Sequence, residues 1–346
     1  MDSLSIIKPD DWHLHLRDGA ALRSVVNDSA RRFARAIIMP NLKPPVTTCD
    51  MALDYRQRVL DALQPGLDFE PLMTLYLTDN TSPDEIVRAS QSPYIHAVKL
   101  YPAGATTNSD AGVTAIKRVY PVLEAMQRHD LPLLVHGEST AEDIDFFDRE
   151  KHYIDHTLRP IREDFPELRI VLEHMTTGDA VDFVTAHSAQ LTAGTITAHH
   201  LLINRNALFK GGINPHHFCL PVAKRETHRQ KLLQAATTRS DRFFAGTDSA
   251  PHGRSAKESA CGCAGIYTAH AAVELYAEAF EQAGDMSGFE QFMSLSGPRF
   301  YHLPVNTTRI TLKRESWRVQ PSIEFASEQL VPFRAGQNVR WSLQDL

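Results

Sequence analysis

Long hydrophobic runs are missing from this chain. Nowhere do about 18 apolar residues follow one another, so no membrane-spanning helix is expected. The first residues also lack the basic region and apolar stretch of a signal peptide. The expectation is a soluble, cytoplasmic protein. Cysteine is scarce as well. The four residues Cys49, Cys219, Cys261 and Cys263 are too few and too scattered for a disulfide framework. Cys261-Gly262-Cys263 has metal-like spacing, but a structural zinc site needs a second ligand pair and none is evident, so free thiols in a tight glycine turn are expected. Charge of one sign does not accumulate either. The net charge is -6 and no Lys/Arg run occurs, so neither nucleic acid nor a membrane is implied as a partner. No Gly-x-Gly-x-x-Gly or Walker-type loop follows any apolar run, which weakens a doubly wound nucleotide-binding fold.

What is present is the composition of a globular enzyme: 346 residues, 42% hydrophobic and 23% charged. Apolar runs rich in β-formers alternate with segments whose apolar residues fall three and four apart. The expected strands are 11–17, 34–41, 69–78, 97–101, 131–138, 169–175, 190–199 and 242–248. Helices are expected at 51–63, 113–129, 141–162, 179–187 and 224–239, with starts at Ser82 and Thr177. Eight strand–helix alternations predict an α/β fold, a (β/α)8 barrel of the TIM type with a core at about 8–302. Helical segments follow at 264–283 and 288–302, and 303–346 reads as a short C-terminal extension packed on the barrel, all within a single domain.

The most telling segment is Asp11-Trp12-His13-Leu14-His15-Leu16-Arg17-Asp18. Read as a strand, it places His13 and His15 on one face, where both imidazoles could reach one metal ion, with Arg17 continuing that face. Alone, His-x-His is more often structural. Barrel enzymes, however, keep their chemistry at the C-terminal strand ends, and those ends carry His13, His15, Lys99, His136, His174 and Asp248. Four neutral imidazoles and a carboxylate suit zinc, two ions better than one. A free Lys99 ammonium would repel both. If burial lowers its pKa, the amine can add CO2 and become a carbamate with one oxygen for each metal. The excess positive charge left at such a centre suits an anionic substrate.

These strings resemble the amidohydrolase superfamily and, within it, the dihydroorotases of the shorter, bacterial type. The resemblance rests on Asp10 to Asp18, on Met39-Pro40-Asn41 through Thr48, on Lys99-Leu100-Tyr101-Pro102 and on Leu133 to Glu138. Gly246 to His252 and Lys257 to Gly265 add to it, and it runs nearly end to end. It implies two zinc ions per subunit, one held by His13, His15, carbamylated Lys99 and Asp248, the other by Lys99, His136 and His174. It further implies Asp248 as the catalytic proton carrier, and substrate contacts from His15, Arg17, Asn41, His136 and His252 and from the main chain of Leu220 and Ala264. Residues 103–108 match a mobile loop that closes through Thr106 and Thr107. Interconversion of N-carbamoyl-L-aspartate and L-dihydroorotate, and a homodimer, are likewise implied. Gly104 and Thr197-Ala198-His199 depart from the family pattern. A hydantoinase or allantoinase is the same-class alternative, but Arg17 and Asn41 count against it because those substrates lack the ring carboxylate. A catalytically silent relative would have lost a ligand or the base, and this chain keeps them all.

Overall fold

The computed structural model describes residues 2–344. Strand β1 (Ser3–Ile7) precedes the barrel. Eight parallel strands then pair in chain order: β2 (Asp10–Leu14), β3 (Arg35–Ile38), β4 (Glu70–Tyr76), β5 (Ile95–Leu100), β6 (Leu133–Val135), β7 (Ile170–Leu172), β8 (Thr192–Ile196) and β9 (Phe243–Ala245). The ring closes between its last and first strands. The Asp248 amide donates to the His13 carbonyl at 2.9 Å, and the His15 amide donates to Ser249 O at 3.2 Å. The sequence therefore reads correctly as a (β/α)8 barrel.

Helices start where side chains can satisfy the free N–H groups of the first turn. Thr48, Ser82 and Thr177 accept from the amides of Met51, Glu85 and Ala180 at 3.3, 3.2 and 3.1 Å. The helix expected from residue 141 begins only at Arg149. Before it, Asp145 accepts from the amides of Phe147 and Asp148, and such local bonds compete with helix formation.

Apolar residues separate into two layers. A large shell lies between strands and helices, while a second cluster of Trp12, Ile37, Met39, Leu72, Ala97, Leu134, Val171, Ala193 and Phe244 fills the lumen. Each barrel strand contributes to the lumen, as alternation demands. Phe300 and Tyr301 join this cluster, and the Tyr301 ring stacks on Trp12 at 4.5 Å. The extension beyond residue 302 returns to the N-terminus: Arg309–Lys313 (β10) pairs antiparallel with β1 on one side and with Ser342–Leu343 on the other.

Every expected strand overlaps an observed one, but most run too far at the C-terminal end. β2 stops at Leu14 rather than Arg17, β6 at Val135 and β9 at Ala245. The chain leaves the ladder where it must redirect the side chains discussed below.

Gly297 lies against Trp12. A Cβ there would stand 1.9 Å from the indole Nε1. Gly297→Ala should therefore destabilise the fold by about 1–3 kcal/mol, the usual cost of overpacking. Chemical denaturation with tryptophan fluorescence checks this.

Candidate active site

Lumen alternation continues upward into the site. Ala97, Leu134 and Val171 sit inside, so two residues later Lys99, His136 and Glu173 sit on the same face one layer higher. Strand β2 differs, because its register shifts between Asp11 and Leu14. Trp12 points into the lumen while Leu14 belongs to the outer shell. His13 is completely buried, and its Nε2 lies 3.2 Å from His15 Nε2. The expected two-imidazole face thus exists, but an irregular strand end makes it. Arg17 does not continue that strand. It lies in the left-handed region (φ 61°), as do His174 (φ 38°) and Asp248 (φ 45°). Such backbone in non-glycine residues is strained and concentrates at functional sites.

Three donor atoms meet at the seam. His13 Nε2 lies 3.2 Å from His15 Nε2, and Asp248 Oδ1 lies 3.4 and 3.1 Å from those nitrogens. Ligands about 2.05 Å from a tetrahedral ion stand about 3.3 Å apart, so these atoms span one face of a metal tetrahedron. They form a metal-binding cluster. Burial holds both imidazoles below their ordinary pKa, and neutral imidazole is the form that binds metal. Burial opposes ionisation of Asp248, but the His15 hydrogen bond and the nearby imidazoles outweigh it and hold the carboxyl well below its usual range.

The other expected ligands surround this cluster. The His174 ring centroid lies 4.8 Å from that of His13 and 4.9 Å from that of His136. His136 Nε2 pairs with Glu138 at 2.9 Å, while His174 Nδ1 is buried without a partner. Lys99 is fully buried, and its Nζ has no hydrogen-bond partner. Burial lowers its pKa to about 8 against the opposing pull of Glu173 and Asp248.

His15, Arg17, Asn41, Thr106, Thr107, His136, His174, Leu220, Asp248 and Ala264 all line one narrow cleft, together with Tyr101. His252 stands behind this wall, accepting from Arg17 Nη2 at 2.8 Å. The loop lies over the cleft: Thr107 Oγ1 donates to Ala264 O at 3.3 Å, and Asn41 Nδ2 donates to Thr107 O at 3.1 Å.

Two carboxylates escaped the sequence reading. Glu173 contacts His13 Nδ1 from behind and so leaves Nε2 for the metal; burial raises its pKa to about 8. Asp11 accepts from the amides of His13 (3.1 Å) and Thr247 (2.8 Å) and from the Thr247 hydroxyl (2.6 Å), fastening β2 to β9. Parity with Val171 was the available signal for Glu173. Cys261 and Cys263 are free thiols at a turn with Gly262 at φ +54°, as expected.

The amidohydrolase family profile matches residues 5–315. A dihydroorotase of Cupriavidus pinatubonensis is 63% identical over 338 residues, covering 98% of each chain. The chain belongs to the amidohydrolase family and, within it, to the dihydroorotases. Solved dihydroorotases agree with this assignment. That of Saccharomyces cerevisiae, in complex with 5-fluoroorotic acid, superposes with a TM-score of 0.92 at 32% identity over 99% of both chains. That of Campylobacter jejuni gives 0.90 at 34% identity over 99% of this chain and 98% of the other. The enzyme therefore has dihydroorotase activity, a step of pyrimidine biosynthesis.

Glu173→Gln keeps the shape beside His13 but replaces an ionisable carboxyl with a permanently neutral amide. Metal affinity should fall about 10–100-fold, as for other outer partners of ligating histidines. Competition with a chromophoric chelator measures it.

Proposed function

We propose that this site interconverts N-carbamoyl-L-aspartate and L-dihydroorotate over two zinc ions. His13, His15, Asp248 and a carbamate on Lys99 would hold one ion; the same carbamate, His136 and His174 would hold the other. The observation that carries this reading is Lys99: a fully buried, unpartnered amine with a lowered pKa, among imidazoles that burial keeps neutral. An ammonium there gains no hydrogen bond, whereas a carbamate supplies the negative charge and two oxygens that the donor set lacks. Bound there, the metals would polarise the ring carbonyl and lower the pKa of a water molecule.

The remaining steps belong to the chain's own residues. In ring opening, the Asp248 carboxylate takes the proton of the attacking water and delivers it to the departing ring nitrogen. Ring closure reverses both transfers. The Arg17 guanidinium reaches the cleft as a planar fork suited to a carboxylate, with Asn41 beside it and His252 behind. Burial and the Arg17 charge keep His252 neutral, so it supports the guanidinium without competing for the anion. His15 and His136, besides serving as ligands, face the substrate, and main-chain groups of Leu220 and Ala264 hold the ring amide. Thr106 and Thr107 lie over the cleft, where they shield the bound ring from water. The analogue bound to the yeast relative, a six-membered ring bearing a carboxylate, supports this choice of substrate. A homodimer remains part of the same proposal.

The lysine is tested directly. Lys99→Ala should lose most activity and at least one zinc equivalent, with partial recovery in short carboxylic acids. Native mass spectrometry of the active wild-type enzyme should show the mass of one added CO2. An unmodified lysine in active protein would overturn the carbamate. pH gives a second handle. With a pKa of about 8, roughly a tenth of Lys99 amines are neutral at pH 7, against about three in ten thousand for an ordinary lysine. At fixed dissolved CO2, reconstitution of metal-free enzyme should become more complete as pH rises through about 8, and slow below it.

Substrate choice is tested at Arg17. Arg17→Met should keep its zinc but lose roughly ten- to a hundredfold in kcat/KM for dihydroorotate, because a charged hydrogen bond contributes about 1.5–3 kcal/mol. A mutant equal to wild type would remove Arg17 from the carboxylate site.

A further inference from the structure

A second cluster of metal-ligating atoms shares no residue with the centre just described. His199, His200 and Cys219 each offer one donor, and the three atoms lie within 4.8 Å of one another. All are buried, at 0%, 2% and 1% exposure. We infer that these residues form an auxiliary site for one thiophilic metal ion of the Zn²⁺ or Cu⁺ class.

Three observations support it. First, both ring nitrogens of His199 are buried without any hydrogen-bond partner. A buried imidazole normally satisfies at least one nitrogen, because an unmet polar group in the interior is costly. The ring centroid lies 4.5 Å from that of His200, and a His199 ring nitrogen comes within 4.8 Å of the other two donors. Second, Cys219 Sγ lies 3.5 Å from His200 Nε2. A tetrahedral ion with bonds of about 2.3 Å to sulfur and 2.05 Å to nitrogen sets those atoms about 3.5 Å apart. Third, the His200 ring already has an outer partner. Its Nδ1 pairs at 2.9 Å with Thr197 Oγ1, which also accepts the His200 amide at 3.0 Å as helix cap. A ligating histidine holds its other nitrogen in the same way. His200 Nε2 and the Cys219 thiol both face the Pro221 carbonyl, at 3.1 and 3.4 Å. On binding, the ring proton moves to Nδ1 and the Cys219 thiol releases its own proton to solvent.

The surroundings limit the charge the site accepts. Burial, and after it the Asp248 charge, pushes the Cys219 thiol up to about 12, and Lys257 and Lys224 offset this only in part. The thiol therefore gives up its proton on metal binding rather than by ionising alone, and the same two ammonium groups oppose a second cation. Lys224 Nζ donates to Val222 O, and Lys257 Nζ donates to Phe218 O, Cys263 O and Gly265 O. One ion per cluster is therefore the limit. Occupation would tie the short helix Ala198–Leu202, which follows β8, to the segment that carries Leu220 into the substrate cleft.

Cobalt distinguishes this site from the catalytic centre, whose donors are all nitrogen and oxygen. Metal-free enzyme loaded with Co²⁺ should develop a near-ultraviolet thiolate-to-cobalt band and take up one equivalent more than Cys219→Ser. The band should vanish in that variant. His199→Gln keeps the thiol and a similar volume, so it serves if Cys219→Ser fails to fold; it should weaken binding of the extra ion at least tenfold. Titrations with Zn²⁺ and with Cu⁺ then show which ion is held more tightly. Equal uptake by wild type and both variants, or a band that survives Cys219→Ser, overturns the site. Because the readout is a difference of one equivalent, it does not depend on how many ions the catalytic centre holds.

Discussion

Closure of the barrel between β9 and β2 is the constraint on which the site depends. Two main-chain hydrogen bonds across that seam set Asp248 beside His13 and His15 beside Ser249. Residues 235 positions apart in sequence thereby become the adjacent corners of one donor triangle. Asp11 reinforces the seam from inside, since its buried carboxylate binds amides on both strands and the Thr247 hydroxyl. Burial raises the Asp11 pKa to about 7, so these hydrogen bonds hold a carboxyl that the environment disfavours as an anion. The geometry of the metal cluster is thus a property of how the sheet closes, before any ion binds.

Electrostatics follows from the same layering. The lumen is apolar up to Ala97, Leu134, Val171 and Phe244, and polar groups begin one layer above. That floor excludes water from beneath Lys99, His13 and His174, which is why burial dominates the pKa shift at each of them. Neutral imidazoles and a lysine that loses its proton readily are what a cation site requires. The cost of burying these groups is offset when positive charge arrives.

Much of this was legible in the sequence, for identifiable reasons. Strand–helix alternation survives in the hydrophobic pattern because every barrel strand is buried on both faces. The strand-end histidines, Lys99 and Asp248 stood out because polar residues at those positions are hard to explain structurally when they recur on strand after strand. What the pattern could not show was the irregularity. Simple alternation gave His13 and His15 a regular strand, whereas the register shift in β2 and the left-handed Arg17 bring their side chains to the site. Glu173 was hidden because it touches another side chain, His13, rather than the cleft. The pairing of Cys219 with His199 and His200 was hidden for a similar reason: about twenty residues and a change of direction separate them.

Strain at the rim links fold to chemistry. Arg17, His174 and Asp248 each accept a left-handed backbone that costs about 1–3 kcal/mol where neighbours do not compensate it. Each lies just past the end of a barrel strand, where continued extension would carry the next side chain away along the ladder. The left-handed turn instead bends the chain so that the side chain faces the cleft. Main-chain bonds to the adjoining strands hold it there: Asp248 through its amide to His13 O, and His174 through its amide to Thr195 Oγ1 at 2.7 Å. At Arg17 the carbonyl accepts the Tyr55 hydroxyl at 2.6 Å, and the side chain donates to Pro251 O at 3.0 Å. The strain is therefore met by contacts within the fold itself, none of which involves a ligand. A ligand entering this cleft does not have to organise Asp248, His174 or Arg17, and more of its binding energy remains for the transition state.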